Sequence, residues 1–199
     1  MTDFENKNPP TSDLKKLSEL YNSGDLAGVK NFCDGLLAAY PNSALVYNVL
    51  GVALEGQGKL EDSLVAYESA MEKDSSHLDA CHNAAILLGR LGRFEEAKRK
   101  YNIILDLAPE DADAHNNLGV VLQNLSQHSL AVTHFQKAAV LEPRNASAFF
   151  NYANSLKELG ESDKALENYD HSVRINPSFF LAHNNRGILL EIMGRDEEA

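Results

Sequence analysis

Asparagine recurs in this chain at a fixed interval. Asn83, Asn117, Asn151 and Asn185 follow one another every 34 residues. In the neighbouring column stand Asn48, Asn116 and Asn184, with His82 and Phe150 in its other places, and Asn154 lies just beyond Asn151. Asparagine is a poor helix former on propensity alone, so its repeated use within segments of helical apolar spacing implies that the side chain is needed. The amide carries one acceptor oxygen and two N–H donors, so it can meet both the N–H and the C=O of a peptide backbone. A row of such groups would hold an extended polypeptide with little regard for its side chains. The same amides could instead bond neighbouring helices and stiffen the array. The ten residues Asn48, His82, Asn83, Asn116, Asn117, Phe150, Asn151, Asn154, Asn184 and Asn185 are therefore the predicted peptide-binding set. The row breaks at Val49, which takes the corresponding place one interval before Asn83.

Other chemistry is thinly represented. The sequence has no glycine-rich phosphate loop, no paired-histidine zinc motif and no nucleophile elbow, so neither catalysis nor a cofactor or metal is expected. The seven histidines are scattered, and His115 and His183 share a column of the repeat. Cys33 and Cys81 fall in different predicted helices and read as buried packing thiols rather than a disulfide. The basic run Arg90, Arg93, Lys98, Arg99 and Lys100, balanced by Glu95 and Glu96, reads as a solvated helix face.

The elements that must position the asparagines follow from the same interval. Prolines at 41, 109, 143 and 177 are separated by 68, 34 and 34 residues, with Ser75 in the skipped place. Leu20, Leu54, Leu88, Leu122, Leu156 and Leu190 form one further column, and Tyr67, Tyr101, Phe135 and Tyr169 another. Two columns are small: Gly51, Ala85, Gly119, Ala153, Gly187, and Ser63, Ala97, Ala131, Ala165, Ala199. Gly24, Gly58, Gly92, Ser126, Gly160 and Gly194 mark a turn. Each unit reads as two short amphipathic helices, turned at the glycine, which tolerates positive φ, and ended near the proline, which lacks an N–H. The small residues allow the two helices to cross closely. One hairpin cannot bury both its faces, so successive units must stack.

The pattern Leu118-Gly119, Leu122, Ala131, Phe135, Ala138, Pro143 resembles the tetratricopeptide repeat. The resemblance runs over most of the chain and implies an all-α, right-handed α-solenoid of tandem helix-turn-helix repeats that binds other proteins. The motifs Asn83-Ala-Ala85, Asn117-Leu-Gly119, Asn151-Tyr-Ala153 and Asn185-Arg-Gly187 are similar to those of the repeat domain of O-GlcNAc transferases. That similarity implies asparagines on a concave inner surface that grip substrate polypeptides. It leaves open a stand-alone protein-binding module, a substrate-recruiting N-terminal region of a larger enzyme of glycosyltransferase or sulfotransferase type, and a self-assembling scaffold.

Residues 1–9 are expected to form a disordered tail, and 10–199 a single solenoid with units 10–43 (degenerate), 44–77, 78–111, 112–145, 146–179 and a truncated 180–199. The formal net charge is −11, which disfavours nucleic acid and anionic membrane surfaces as partners. The polar stretch Met1–Pro10 does not read as a signal peptide, and the apolar runs are too short to cross a bilayer, so the cytoplasm is the expected compartment. Gly194-Arg195-Asp196-Glu197-Glu198-Ala199 nearly repeats Gly92-Arg93-Phe94-Glu95-Glu96-Ala97, so the chain reads as a piece of a longer array cut inside a repeat. The helix holding Leu189, Leu190 and Met193 is then expected to be uncovered and to offer a route to a homo-oligomer.

Overall fold

The computed structural model describes residues 8–195. Among them are eleven α-helices and no strand: α1 (Thr11–Asn22), α2 (Leu26–Ala39), α3 (Ala44–Gly56), α4 (Leu60–Lys73), α5 (Leu78–Arg90), α6 (Phe94–Leu107), α7 (Ala112–Asn124), α8 (His128–Leu141), α9 (Ala146–Glu158), α10 (Ser162–Ile175) and α11 (Phe180–Ile192). The odd-numbered helices from α3 onward begin 34 residues apart. None of the helices is long and apolar enough to cross a membrane. The chain divides into two compact units, Met1–Gly92 with α1 to α5 and Arg93–Ala199 with α6 to α11.

Local chemistry sets the helix ends. Ser43, His77, Asp111 and Asn145 stand at the same place in the repeat, and each accepts a backbone N–H from the third residue on, as an N-cap should. Ser126 keeps the turn of its column by adopting φ 58°, a left-handed conformation that glycine takes at the other five positions. The residue after the turn then donates its N–H back to the leucine column: Lys59 to Leu54, Gln127 to Leu122, Glu161 to Leu156 and Arg195 to Leu190. This six-to-one bond closes the helix end and aims the chain into the next helix.

Within each unit the helices cross where the small column lies. In the first unit a Cβ on Gly51 would stand 2.4 Å from the Tyr67 ring, and in the second one on Gly119 would stand 2.6 Å from Phe135. Both rings are essentially fully buried. Where the column holds alanine, Ala153 shares a buried cluster with Leu156, Ala165, Leu166 and Tyr169. Cys33 and Cys81 are free and buried, and burial, helped by the neighbouring Asp34 charge, pushes the Cys33 thiol up to about 12, leaving it unreactive.

The end of the chain departs from expectation. Leu189 and Leu190 are buried in the same cluster as Leu166 and Tyr169, and Met193 packs against it. They point back onto the preceding helix pair, because a first helix of a repeat buries one face on its predecessor. The exposed apolar residues of α11 are Phe180, Leu181, Ile188 and Ile192 instead. Residues 1–7 of the expected tail and Ala199 of the small column lie outside the described residues. Asn8, in contrast, accepts a hydrogen bond of 2.8 Å from Ser43 Oγ.

Candidate functional site

All ten predicted site residues stand on first helices of the repeats: Asn48 on α3, His82 and Asn83 on α5, Asn116 and Asn117 on α7, Phe150, Asn151 and Asn154 on α9, Asn184 and Asn185 on α11. In each unit the asparagines pair across helices. In the first, Asn83 Nδ2 donates to Asn48 Oδ1 at 3.0 Å. In the second, Asn151 Nδ2 donates to Asn116 Oδ1 at 3.2 Å. Both pairs are separated by 35 residues. A side chain of one column therefore meets the neighbouring column of the preceding repeat, one place off the 34-residue step.

The same rule explains the exception. Asn185 should meet residue 150, but that residue is Phe150, which has no acceptor. Asn185 Nδ2 turns to Asn154 Oδ1 at 3.0 Å, and the same oxygen accepts the Tyr169 hydroxyl at 2.5 Å. Burial raises Tyr169 to about 12, so it remains a neutral donor. Phe150 packs against Tyr169 and Phe179 with ring centroids 6.1 and 5.0 Å apart, which makes it part of the aromatic packing.

Each cross-helix bond uses only part of an amide. Asn83 and Asn151 give one N–H and keep Oδ1 for another donor. Asn116 Nδ2 and Asn184 Nδ2 reach their sequence neighbours Asn117 and Asn185 only at 3.4 and 3.5 Å, at or beyond the long limit of a good bond. Asn48 is buried, Asn184 is exposed, and the others are half-buried. The row thus combines fixed orientation with unspent capacity.

Three features escaped the sequence reading. Gln123 on α7 donates to Asn151 O at 3.2 Å and to Ser155 Oγ at 2.8 Å, locking α7 to α9 beside the row. His115 and His134 face each other with their Nδ1 atoms 3.0 Å apart, while His115 Nε2 meets the Pro109 carbonyl at 3.0 Å. At the break in the row, Val49 lines an apolar pocket between α1 and α3. The basic run is largely spoken for: Arg90 pairs with Glu55, Arg93 with Glu96 at 2.7 Å, and Lys98 donates to Gln127 at 3.0 Å. Among the described residues, no group of three or more His, Cys, Asp or Glu side chains could hold a metal ion.

Residues 82–148 match one family model described as tetratricopeptide repeat, and 134–167 match a second with the same description. Residues 82–167 contain tetratricopeptide repeats. Solved structures agree on the repeat fold. A tetratricopeptide repeat protein from Parabacteroides merdae superposes with a TM-score of 0.81 at 22% identity, covering 94% of this chain and 75% of that one. YrrB, described as a tetratricopeptide repeat protein with an unusual peptide-binding site, gives 0.78 at 21% identity, covering 92% and 94%. PilF of Pseudomonas aeruginosa gives 0.80 at 20%, covering 94% and 85%. No curated protein matches the sequence.

Proposed function

We propose that this tetratricopeptide repeat chain is a protein-interaction module whose asparagine-bearing helix faces hold the backbone of an extended partner polypeptide. One observation carries the reading. The same oriented amide pair, Asn83 with Asn48 and Asn151 with Asn116, forms in both units, and each leaves a carbonyl oxygen unspent. An amide whose only duty was to join helices would gain nothing from that spare acceptor, whereas a peptide N–H can use it. An extended peptide advances about 3.3 Å per residue, so amides repeated along the helix row meet its backbone every few residues. Contacts of that kind tolerate many sequences. The peptide-binding site described for YrrB, which has a similar fold, is consistent with this use.

The test is the triple substitution Asn117→Ala, Asn151→Ala, Asn185→Ala in the full chain. Each neutral hydrogen bond is worth about 0.5–1.5 kcal/mol, and about 1.4 kcal/mol is tenfold. Peptides selected on the native chain from a random decapeptide display library should bind the variant roughly tenfold to a thousandfold more weakly. Asn151 and Asn185 also join helices, so binding is measured well below the melting temperature of the variant. Unchanged affinity, with a lowered melting temperature, would assign the row to stiffening alone.

A further inference from the structure

The break in the asparagine row is itself built. Leu14, Leu17 and Tyr21 of α1 and Leu45, Val49 and Val52 of α3 line an open pocket of about 400 Å³. That volume lies in the roughly 300–1,000 Å³ range of small ligand sites. Its polar groups are Ser18 and the hydroxyl of Tyr21, a residue left 48% exposed. Two of its residues depart from the columns they occupy. Leu45 stands where Asp79 and Asp113 stand in later repeats, and Val49 stands where Asn83 and Asn117 stand. Leu14 and Val49 are separated by 35 residues, the spacing of the asparagine pairs, so an apolar pair occupies the place of an amide pair.

The surroundings narrow the occupant. Val49 directly follows Asn48, whose side chain holds Asn83, so a polypeptide lying on that amide pair runs beside the pocket mouth. Asp79, in the first turn of α5, is exposed and stands one repeat on from Leu45. Glu55, one turn beyond Val52, is already held by Tyr67 and Arg90. The chain as a whole carries −11. An apolar side chain suits the pocket, and a cation next to it suits the acidic Asp79 one repeat on.

We infer that the pocket between α1 and α3 takes one bulky aliphatic or aromatic side chain of the bound polypeptide, flanked by a lysine or arginine that faces Asp79. This rests on the peptide-binding reading above and adds to it a preferred sequence at the N-terminal unit. The asparagines hold the backbone, and the pocket sets the register along it. A buried apolar anchor surrounded by weaker polar contacts is the usual division of labour in an interface.

The experiment uses the full chain and a random decapeptide display library. Two variants accompany it: Leu45→Asp with Val49→Asn and Val52→Asn, and Asn48→Ala with Asn83→Ala. The first introduces only residues that other repeats carry in those columns, and the single Val49→Asn variant serves if the triple does not fold. Peptides selected on the native chain should share one Leu, Ile, Phe or Met next to Lys or Arg. Replacing that residue by Ala should cost at least tenfold on the native chain and almost nothing on the pocket variant, while the Asn48/Asn83 variant should weaken all selected peptides alike. Selected peptides with no shared apolar residue, or equal affinity for the native chain and the pocket variant, would overturn the pocket and leave the asparagine reading standing. Recovery of no peptide by the native chain would overturn both. Sedimentation velocity supplies the remaining outcome: a native dimer that the pocket variant loses would mean that a second copy fills the pocket, and the inference would fall.

Discussion

Residue 49 and residue 151 occupy the same column of the repeat in different units, and one is valine while the other is asparagine. In the Met1–Gly92 unit, Val49 lines an apolar pocket that α1 lines on its other side. In the Arg93–Ala199 unit, Asn151 gives its amide to Asn116. Beneath them the two units are built alike. Gly51 lies against Tyr67 as Gly119 lies against Phe135, and Leu54 and Leu122 are both buried. The columns that face inward define the repeat, and those that face outward are free to differ. At the half-buried column of Val49 and Asn151, one substitution exchanges an amide for an apolar side chain while the buried columns stay alike.

The comparison can be broken at its base first. If the cores are equivalent, Tyr67→Ala and Phe135→Ala should each destabilise their own unit by about 3–5 kcal/mol, the usual cost of deleting a buried aromatic ring. Hydrogen exchange, read separately over α3–α4 and α7–α8, would check this. A large loss in one unit and a small one in the other would show that the aromatic column does not carry the same weight in both.

A smaller effect tests the glycine column. Gly119→Ala places a methyl group against Phe135 and should cost about 1–3 kcal/mol, as overpacking does. Gly187→Ala meets nothing within 4 Å, so it should instead stabilise α11 by roughly 0.5–1 kcal/mol through helix propensity. Thermal melts of the two variants should shift in opposite directions. Below these lies the amide pair itself. A double-mutant cycle on Asn116 and Asn151 should give a coupling of about 0.5–1.5 kcal/mol, and the Asn48–Asn83 cycle a similar value. A zero coupling in either unit would remove the structural half of the row's role there.

Much of this was legible in the residues. Leu88, Leu122, Leu156 and Leu190 share one column and one buried environment, because a fixed repeat returns each position to the same packing site. Ser126 could be placed at a turn from its column, although its left-handed φ could not. The 35-residue pairing was not legible, since it depends on how far one helix is shifted along the next. For the same reason Asn154 could be placed on the helix face but not recognised as the acceptor of both Asn185 and Tyr169. The burial of Leu189 and Leu190 was misjudged because the column identifies a buried face without telling which neighbour covers it. The pocket at Val49 read as a mere gap, since an absent asparagine carries no sign of what lines the space.

The smallest expected effect separates the units by pH. His134 is held below its ordinary value, first by burial and then by the charge of His115. His115 Nε2 faces a carbonyl oxygen, so that nitrogen donates, and His115 Nδ1 is left to accept from His134 Nδ1–H. In the unfolded chain His134 titrates near 6.5 (about the free value), whereas the folded chain resists the proton until lower pH. The unfolded state thus binds more protons as the pH drops through that value, and stability falls with acidification and is fully present above it. Hydrogen exchange over α7 and α8, corrected for intrinsic rates, should quicken relative to α3 and α4 between pH 7.5 and pH 5.5. His134→Asn, which places there the residue that the next repeat carries at Asn168, should flatten that dependence. If the native chain already responds equally in both units, the histidine pair contributes nothing to the difference between them.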